Sequence, residues 1–228
     1  GDRFQTIGQA GQAAEQAGIP MIEDFNRGDN EGVDYFEVNQ RSGWRWNTSK
    51  AFLRNAEKRS NLTLWHSTHV LGLETENAGS GPRCVGVRVE RSGGDDVIAR
   101  AKREVILSAG AIGSPQLLQL SGIGPADLLK EHGIDVVADL PGVGENLQDH
   151  LQIRSVYKVK GVTTLNTMAN SLIGKARIGL EYLLTRSGPM SMAPSQLCLF
   201  TRSSEEYDYA NIEYHVQPLS LDAFGQPL

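Results

Sequence analysis

The chain has 228 residues, long enough to bury a sizeable core as one large domain or as parts of two. Its 27 acidic side chains outnumber 22 basic ones, and the net charge of −5 argues against a general nucleic-acid binder, because phosphate recognition leans on clustered Lys and Arg. No apolar run approaches the ~20 residues that span a bilayer.

The two cysteines, Cys84 and Cys198, are too few and too far apart for a disulfide framework or a metal site. They read as reduced structural thiols, the pattern of a cytoplasmic protein. No secretory signal is visible. Gly1 opens almost directly into a helical pattern, and the end at Leu228 has no closing element. Both ends read as those of an internal piece of a longer protein.

Phe4, Ile7, Gly11, Ala14 and Ala17 recur at helical spacing, and Gly18 is a good stop. Residues 19–28 follow as an extended, turn-rich connection containing Asp24-Phe25-Asn26. Residues 41–54 read as a polar turn entering a helix, with Thr48 or Ser49 as its N-cap. Trp44 and Trp46 either pack or stack on a ligand. Residues 61–70 alternate like a strand. His66 and His69 then point to opposite faces, which disfavours a metal site. Residues 83–90 and 97–100 flank Ser92-Gly93-Gly94 and predict a β-hairpin with an exposed loop.

Val105, Ile106 and Leu107 form a short apolar run of the kind that makes a strand buried on both faces, predicted over 103–108. Ser108, Ala109 and Gly110 remove side-chain bulk where that strand ends. Ser114 is then expected to cap a helix whose first residue is Pro115, with Leu117, Leu118 and Leu120 on its buried side. This succession lets a ligand approach the main chain closely.

Residues 121–134 contain Gly-Ile-Gly-Pro before a short helix, which also resembles a helix-hairpin-helix turn. The helix after it carries Lys130 against Asp127 and Glu131, a poor charge balance for a phosphate partner. Gly142 and Gly144 lack the third glycine and the context of a dinucleotide fingerprint. Asp149 and His150 read as structural hydrogen-bonding groups.

Beyond residue 150 the character changes. Residues 151–160 alternate as a strand, and residues 171–185 carry Leu172, Ile173, Ala176, Leu180, Leu183 and Leu184 at helical spacing. Gly188-Pro189 ends that helix. Residues 195–201 and 211–217 predict two more strands, with His215 projecting from the last. Strands with one apolar face and a covering helix suggest an α+β layer.

Residues 110–124, Gly-Ala-Ile-Gly-Ser-Pro-Gln-Leu-Leu-Gln-Leu-Ser-Gly-Ile-Gly, resemble a signature motif of the glucose–methanol–choline (GMC) flavoprotein oxidoreductases. Residues 141–150, Pro-Gly-Val-Gly-Glu-Asn-Leu-Gln-Asp-His, continue the resemblance in the expected order. Gly113 departs from it, standing where many relatives have Asn, which should loosen a turn.

The resemblance implies an α+β or α/β fold in two parts. Residues 1–150 would be part of a Rossmann-like FAD-binding domain, with family-type insertions at 1–55. Residues 151–228 would be part of an antiparallel-sheet substrate-binding domain. The implied cofactor is FAD, with the Val70 backbone at the adenine, and Ser108, Ala109, Gly110, Ser114 and Pro115 as further cofactor-binding residues. His215 would face a small-molecule alcohol.

The implied reaction is oxidation of a choline-like or other primary alcohol to the aldehyde by hydride transfer to flavin N5, with the electron acceptor open. No catalytic residue is assigned to this chain. The family's diphosphate-binding glycines and catalytic His would lie outside it, so the piece alone is expected to be inactive. Two rivals remain: a helix-hairpin-helix nucleic-acid binder, and a flavin-free structural relative.

Overall fold

The computed structural model describes residues 5–223 and 226–227. It has mixed helix and sheet content and divides into two compact units. One is Ser60–Ile153. The other joins Gly1–Arg59 to Arg154–Leu228. These units divide the chain at 59/60 and 153/154, whereas the sequence reading places one boundary at 150/151.

In the Ser60–Ile153 unit, strands Thr68–Asn77, Pro82–Arg91 and Asp96–Arg100 form an antiparallel sheet in that order. Val70 pairs with Val89, which pairs in turn with Val97. The hairpin is the one the alternation predicted. The strand before it is not: residues 61–67 lie outside any strand, and the ladder starts at Thr68.

Helix Gly110–Leu120 packs beside strand Thr68–Asn77 and buries Leu117. Here two expectations are corrected. The helix starts at Gly110, so Pro115 lies inside it and cannot donate to the Ala111 carbonyl. Ser114 is not its cap; its Oγ reaches back to accept the Ala109 amide at 3.0 Å. Gly113 is therefore helical rather than part of a turn.

The predicted strand 103–108 also fails to form a ladder. Its apolar run has no strand neighbour among the described residues, and Ile106 stands 78% exposed.

Past this helix, Ile123–Gly124 and Ala138–Asp139 make a two-residue parallel pair around helix Ala126–Glu131. Gly122, at φ +78°, makes the turn possible: a Cβ there would be driven into the Asp135 carbonyl oxygen and lie 2.9 Å from Val137 Cγ2.

The second unit is built on strands Gly32–Tyr35, Leu197–Thr201 and Ile212–Val216, antiparallel, with Leu197–Thr201 in the middle. Alternation along each strand gives the sheet two characters. Val33, Leu197, Leu199 and Val216 share one face and pack with Ile7 and Ala14 of helix Gln5–Gln16, with Leu165 and Met168 joining them. The register puts Asp34, Cys198, Phe200, Glu213 and His215 on the other face. The helix ends as predicted, with Gly18 at φ +89°; Phe4 lies outside the described residues.

Helix Leu172–Thr185 is capped by Ser171, whose Oγ accepts the Gly174 amide at 3.0 Å. Its far end holds the small hairpin Gln40–Arg41 and Trp44–Arg45. Tyr182 Oη donates to the Gly43 carbonyl at 3.1 Å, and the Arg186 guanidinium lies 4.4 Å from the Trp44 ring centre. Trp46 is also covered by a cation, Arg41, at 5.2 Å.

The helical segment after this hairpin is a π-turn, Ser49–Leu53, running into Arg54–Ala56. Its cap is Asn47, whose Oδ1 accepts the Lys50 amide at 3.0 Å, and not Thr48 or Ser49, which make no such bond. Residues 151–160 form no strand. Among the described residues, no helix is long and apolar enough to cross a membrane.

Candidate functional site

The predicted site residues fall in both units. In Ser60–Ile153, Val70 sits on the first strand of the sheet, an edge strand among the described residues. A bulge between Val70 and Gly72 shifts the register beside it. On the side away from the hairpin, the Leu73 amide donates to Ser121 Oγ at 2.8 Å, and Ser121 Oγ donates to the Leu117 carbonyl at 2.6 Å. One hydroxyl thus ties the helix end to the strand.

Ser108, Ala109 and Gly110 lie exposed at the start of the helix. Gly110 has φ +87°, and the space where its Cβ would stand is open. Main chain is therefore bare where the helix begins, and the Ser114–Ala109 bond holds the turn closed behind it. Ser114 and Pro115 are half-buried.

The loop that follows bears on the nucleic-acid rival. A helix-hairpin-helix turn binds phosphate with the amides at its helix start. Here Asp139 Oδ1 already accepts the Ala126 amide at 3.0 Å, placing a carboxylate where the phosphate would go. The loop is tied down further by Gln119 Nε2, which donates to the Val143 carbonyl at 3.0 Å. His150 donates its amide to Asp149 Oδ1 at 2.8 Å, a local structural bond.

His215 belongs to the other unit, on the polar face of its sheet. Its Nε2 lies 2.8 Å from Glu213 Oε1, its Nδ1 lies 3.2 Å from Ser195 Oγ, and the Phe36 ring covers it at 4.8 Å between centres. Ser195 Oγ also accepts Gln217 Nε2 at 2.9 Å. Across the strand pair on the same face lies Cys198, fully buried, with its thiol 3.4 Å from the same Glu213 oxygen. Burial, with Glu213 beside it, pushes the thiol pKa from 9.0 up to about 12.

Sequence reasoning picked out His215 and passed over Glu213, Ser195 and Cys198. Glu213 was findable, since residues two apart on a strand share a face.

The Asp24 turn is a separate, exposed feature. The Asn26 amide, donating at 2.8 Å, holds this carboxyl below its usual range, with Arg27 close by. Among the described residues, no three His, Cys, Asp or Glu side chains cluster as metal ligands.

The two units define an α+β protein: a strand edge and bare helix start in one, a polar sheet face in the other. The chain belongs to the GMC oxidoreductase family, whose model matches residues 4–152. It is 42% identical over 215 residues to the oxygen-dependent choline dehydrogenase of Brucella ovis, covering 94% of this chain and 38% of that protein.

Among solved structures, it resembles a fungal aryl-alcohol oxidase at 30% identity and TM-score 0.73, covering 85% of this chain and 33% of that one. It also resembles an FAD-dependent oxidoreductase from Chaetomium thermophilum at 26% identity and TM-score 0.72, covering 86% and 34%. The chain thus spans about a third of the length of these relatives.

Proposed function

We propose that this chain is part of an FAD-dependent enzyme that oxidises an alcohol, choline-like or another primary alcohol, to the aldehyde. The observation that carries the proposal is the 42% identity to a choline dehydrogenase along 94% of the chain. When bound, FAD supplies the hydride acceptor at flavin N5. Residues 1–150 would be part of a Rossmann-like FAD-binding domain, with family-type insertions at 1–55. Residues 151–228 would be part of the substrate-binding domain.

The residues fit such a cofactor. An extended ligand needs exposed main chain without bulk, and Ser108-Ala109-Gly110 offers it where Gly110 has open space in place of a Cβ. Ser114 and Pro115 would hold that turn, and the Val70 backbone would meet the adenine. His215 would hydrogen-bond the substrate oxygen, orienting the hydroxyl and stabilising the alkoxide. The general base is not assigned to these residues, and the chain alone is expected to be inactive. The free thiols of Cys84 and Cys198 fit a reducing compartment such as the cytoplasm.

The test is the visible absorption spectrum of the full-length protein, before and after anaerobic addition of a panel of alcohols including choline. Flavin bands that bleach with one alcohol support the reading and begin to name the substrate. A colourless protein that takes up no added FAD overturns it in favour of a flavin-free relative.

A further inference from the structure

The side chains around His215 form a directed chain of hydrogen bonds. Gln217 donates to Ser195 Oγ, Ser195 Oγ meets His215 Nδ1, and His215 Nε2 meets Glu213 Oε1. A carboxylate only accepts, so Nε2 carries a proton whether the ring is neutral or cationic; Nδ1 then accepts from a hydroxyl in the neutral ring and donates to an alkoxide only in the cationic one. This fixes which edge of the imidazole is which. The Glu213 contact is the short one at 2.8 Å and gains from charge, whereas the Ser195 contact is longer at 3.2 Å and has no carboxylate in it. Ser195 Oγ also keeps Gln217 as a partner if His215 leaves it. One edge of the ring is therefore anchored and the other is exchangeable.

We infer that Glu213 is the positioning residue for His215, anchoring the ring through Nε2 so that a substrate oxygen can replace Ser195 Oγ at Nδ1. The inference rests on the substrate-facing reading of His215 given above. The strand supplies the geometry. Residues 213 and 215 project from one face of Ile212–Val216, so the carboxylate is held at the imidazole by backbone spacing. The Phe36 ring packs against the imidazole at 4.8 Å between centres. The Cys198 thiol on the same oxygen holds the carboxylate in turn, from a fully buried position. Glu213 is thus held by Cys198 on the neighbouring strand and orients His215 beside it. Its role is not to touch the alcohol but to keep the imidazole that would.

A double-mutant cycle in the full-length, flavin-loaded protein tests this, using the panel alcohol with the highest kcat/KM. The variants are Glu213→Leu, His215→Ala and the pair, each checked for flavin content and Tm. Glu213→Leu is expected to lower kcat/KM roughly tenfold, the worth of a hydrogen bond to a charged group. That loss should disappear in the His215→Ala background, because a positioning residue has nothing left to position.

Glu213→Gln, whose amide oxygen still accepts from Nε2, should recover about a third of the parent kcat/KM, against about a tenth for Glu213→Leu. If Glu213→Leu does not fold, the near-isosteric Glu213→Gln goes through the same cycle, with an expected loss of about threefold that again vanishes beside His215→Ala. A loss that persists undiminished in the His215→Ala background overturns the inference and leaves the substrate role of His215 intact. A His215→Ala variant with unchanged kcat/KM overturns that underlying reading, and the inference with it.

Discussion

Ser121 Oγ accepts the Leu73 amide at 2.8 Å, joining residues 48 positions apart. The same oxygen donates to the Leu117 carbonyl, so it serves the last turn of the Gly110–Leu120 helix and the outer side of the strand at once. Ser121→Ala leaves a half-buried amide without this acceptor. We expect a loss of about 1–2 kcal/mol, read as a lower urea midpoint at unchanged m-value. An unchanged midpoint would mean that water replaces the hydroxyl at no cost.

Gly122 and Gly142 make a paired test of the loop beyond that helix. A Cβ at Gly122 combines a positive φ with a collision against the Asp135 carbonyl, whereas a Cβ at Gly142 meets nothing within 4 Å. Gly122→Ala should cost about 3 kcal/mol or more in thermal or chemical unfolding. Gly142→Ala should be close to neutral. Equal effects would contradict the turn geometry.

Asp139 caps helix Ala126–Glu131 from 13 positions downstream. Asp139→Ala should therefore destabilise by about 1 kcal/mol, with Asp139→Asn closer to the parent because its amide oxygen still accepts. Neither variant is expected to bind DNA. Salt-sensitive DNA binding by Asp139→Asn in a gel-shift assay would revive the hairpin reading.

Cys198 predicts a pH dependence with a definite sign. Its thiol is held neutral in the fold, with the pKa raised from 9.0 to about 12. The stabilisation from this proton is fully present below pH 9 and is lost as the pH rises from 9 towards 12. The decline should be smaller in Cys198→Ala when unfolding is followed across that window. At pH 8, iodoacetamide should label the half-buried Cys84 first and reach Cys198 only under denaturing conditions, as peptide mapping would report.

The elements that the sequence disclosed are those whose signals are local. The 82–100 hairpin shows alternation on both sides of Gly93-Gly94, and helix Leu172–Thr185 shows its cap, Ser171, directly before its apolar spacing. Strands that need a remote neighbour were misread in both directions. Residues 103–108 and 151–160 have the composition of strands but join no ladder among the described residues, and Leu151 stands 97% exposed. Gly32–Tyr35 is only four residues long and becomes a strand because Leu197–Thr201 lies beside it.

The helix at 110 was placed five residues late because Pro is favoured at a first turn. What decided the matter was Ser114 spending its hydroxyl backwards on Ala109, a contact that residue type alone does not reveal. At the site, the exposed small residues 108–110 were legible. The bonds of His215 were only half so: Glu213 lies two residues away, but Ser195 and Cys198 arrive from another strand region.

The pairing of Gly32–Tyr35 with Leu197–Thr201 also sets a timetable. Glu31 and Thr201 bond across 170 positions, so the early strand and the helix before it emerge from the ribosome long before their partner exists. At roughly 5–20 residues per second, Ile7 and Val33 wait on the order of ten to thirty seconds with nothing to close over them, while the hairpin-based unit between is made whole. That interval is when a chaperone or a protease would meet this protein. Destabilising the 197–201 strand should therefore show first as lost yield during synthesis.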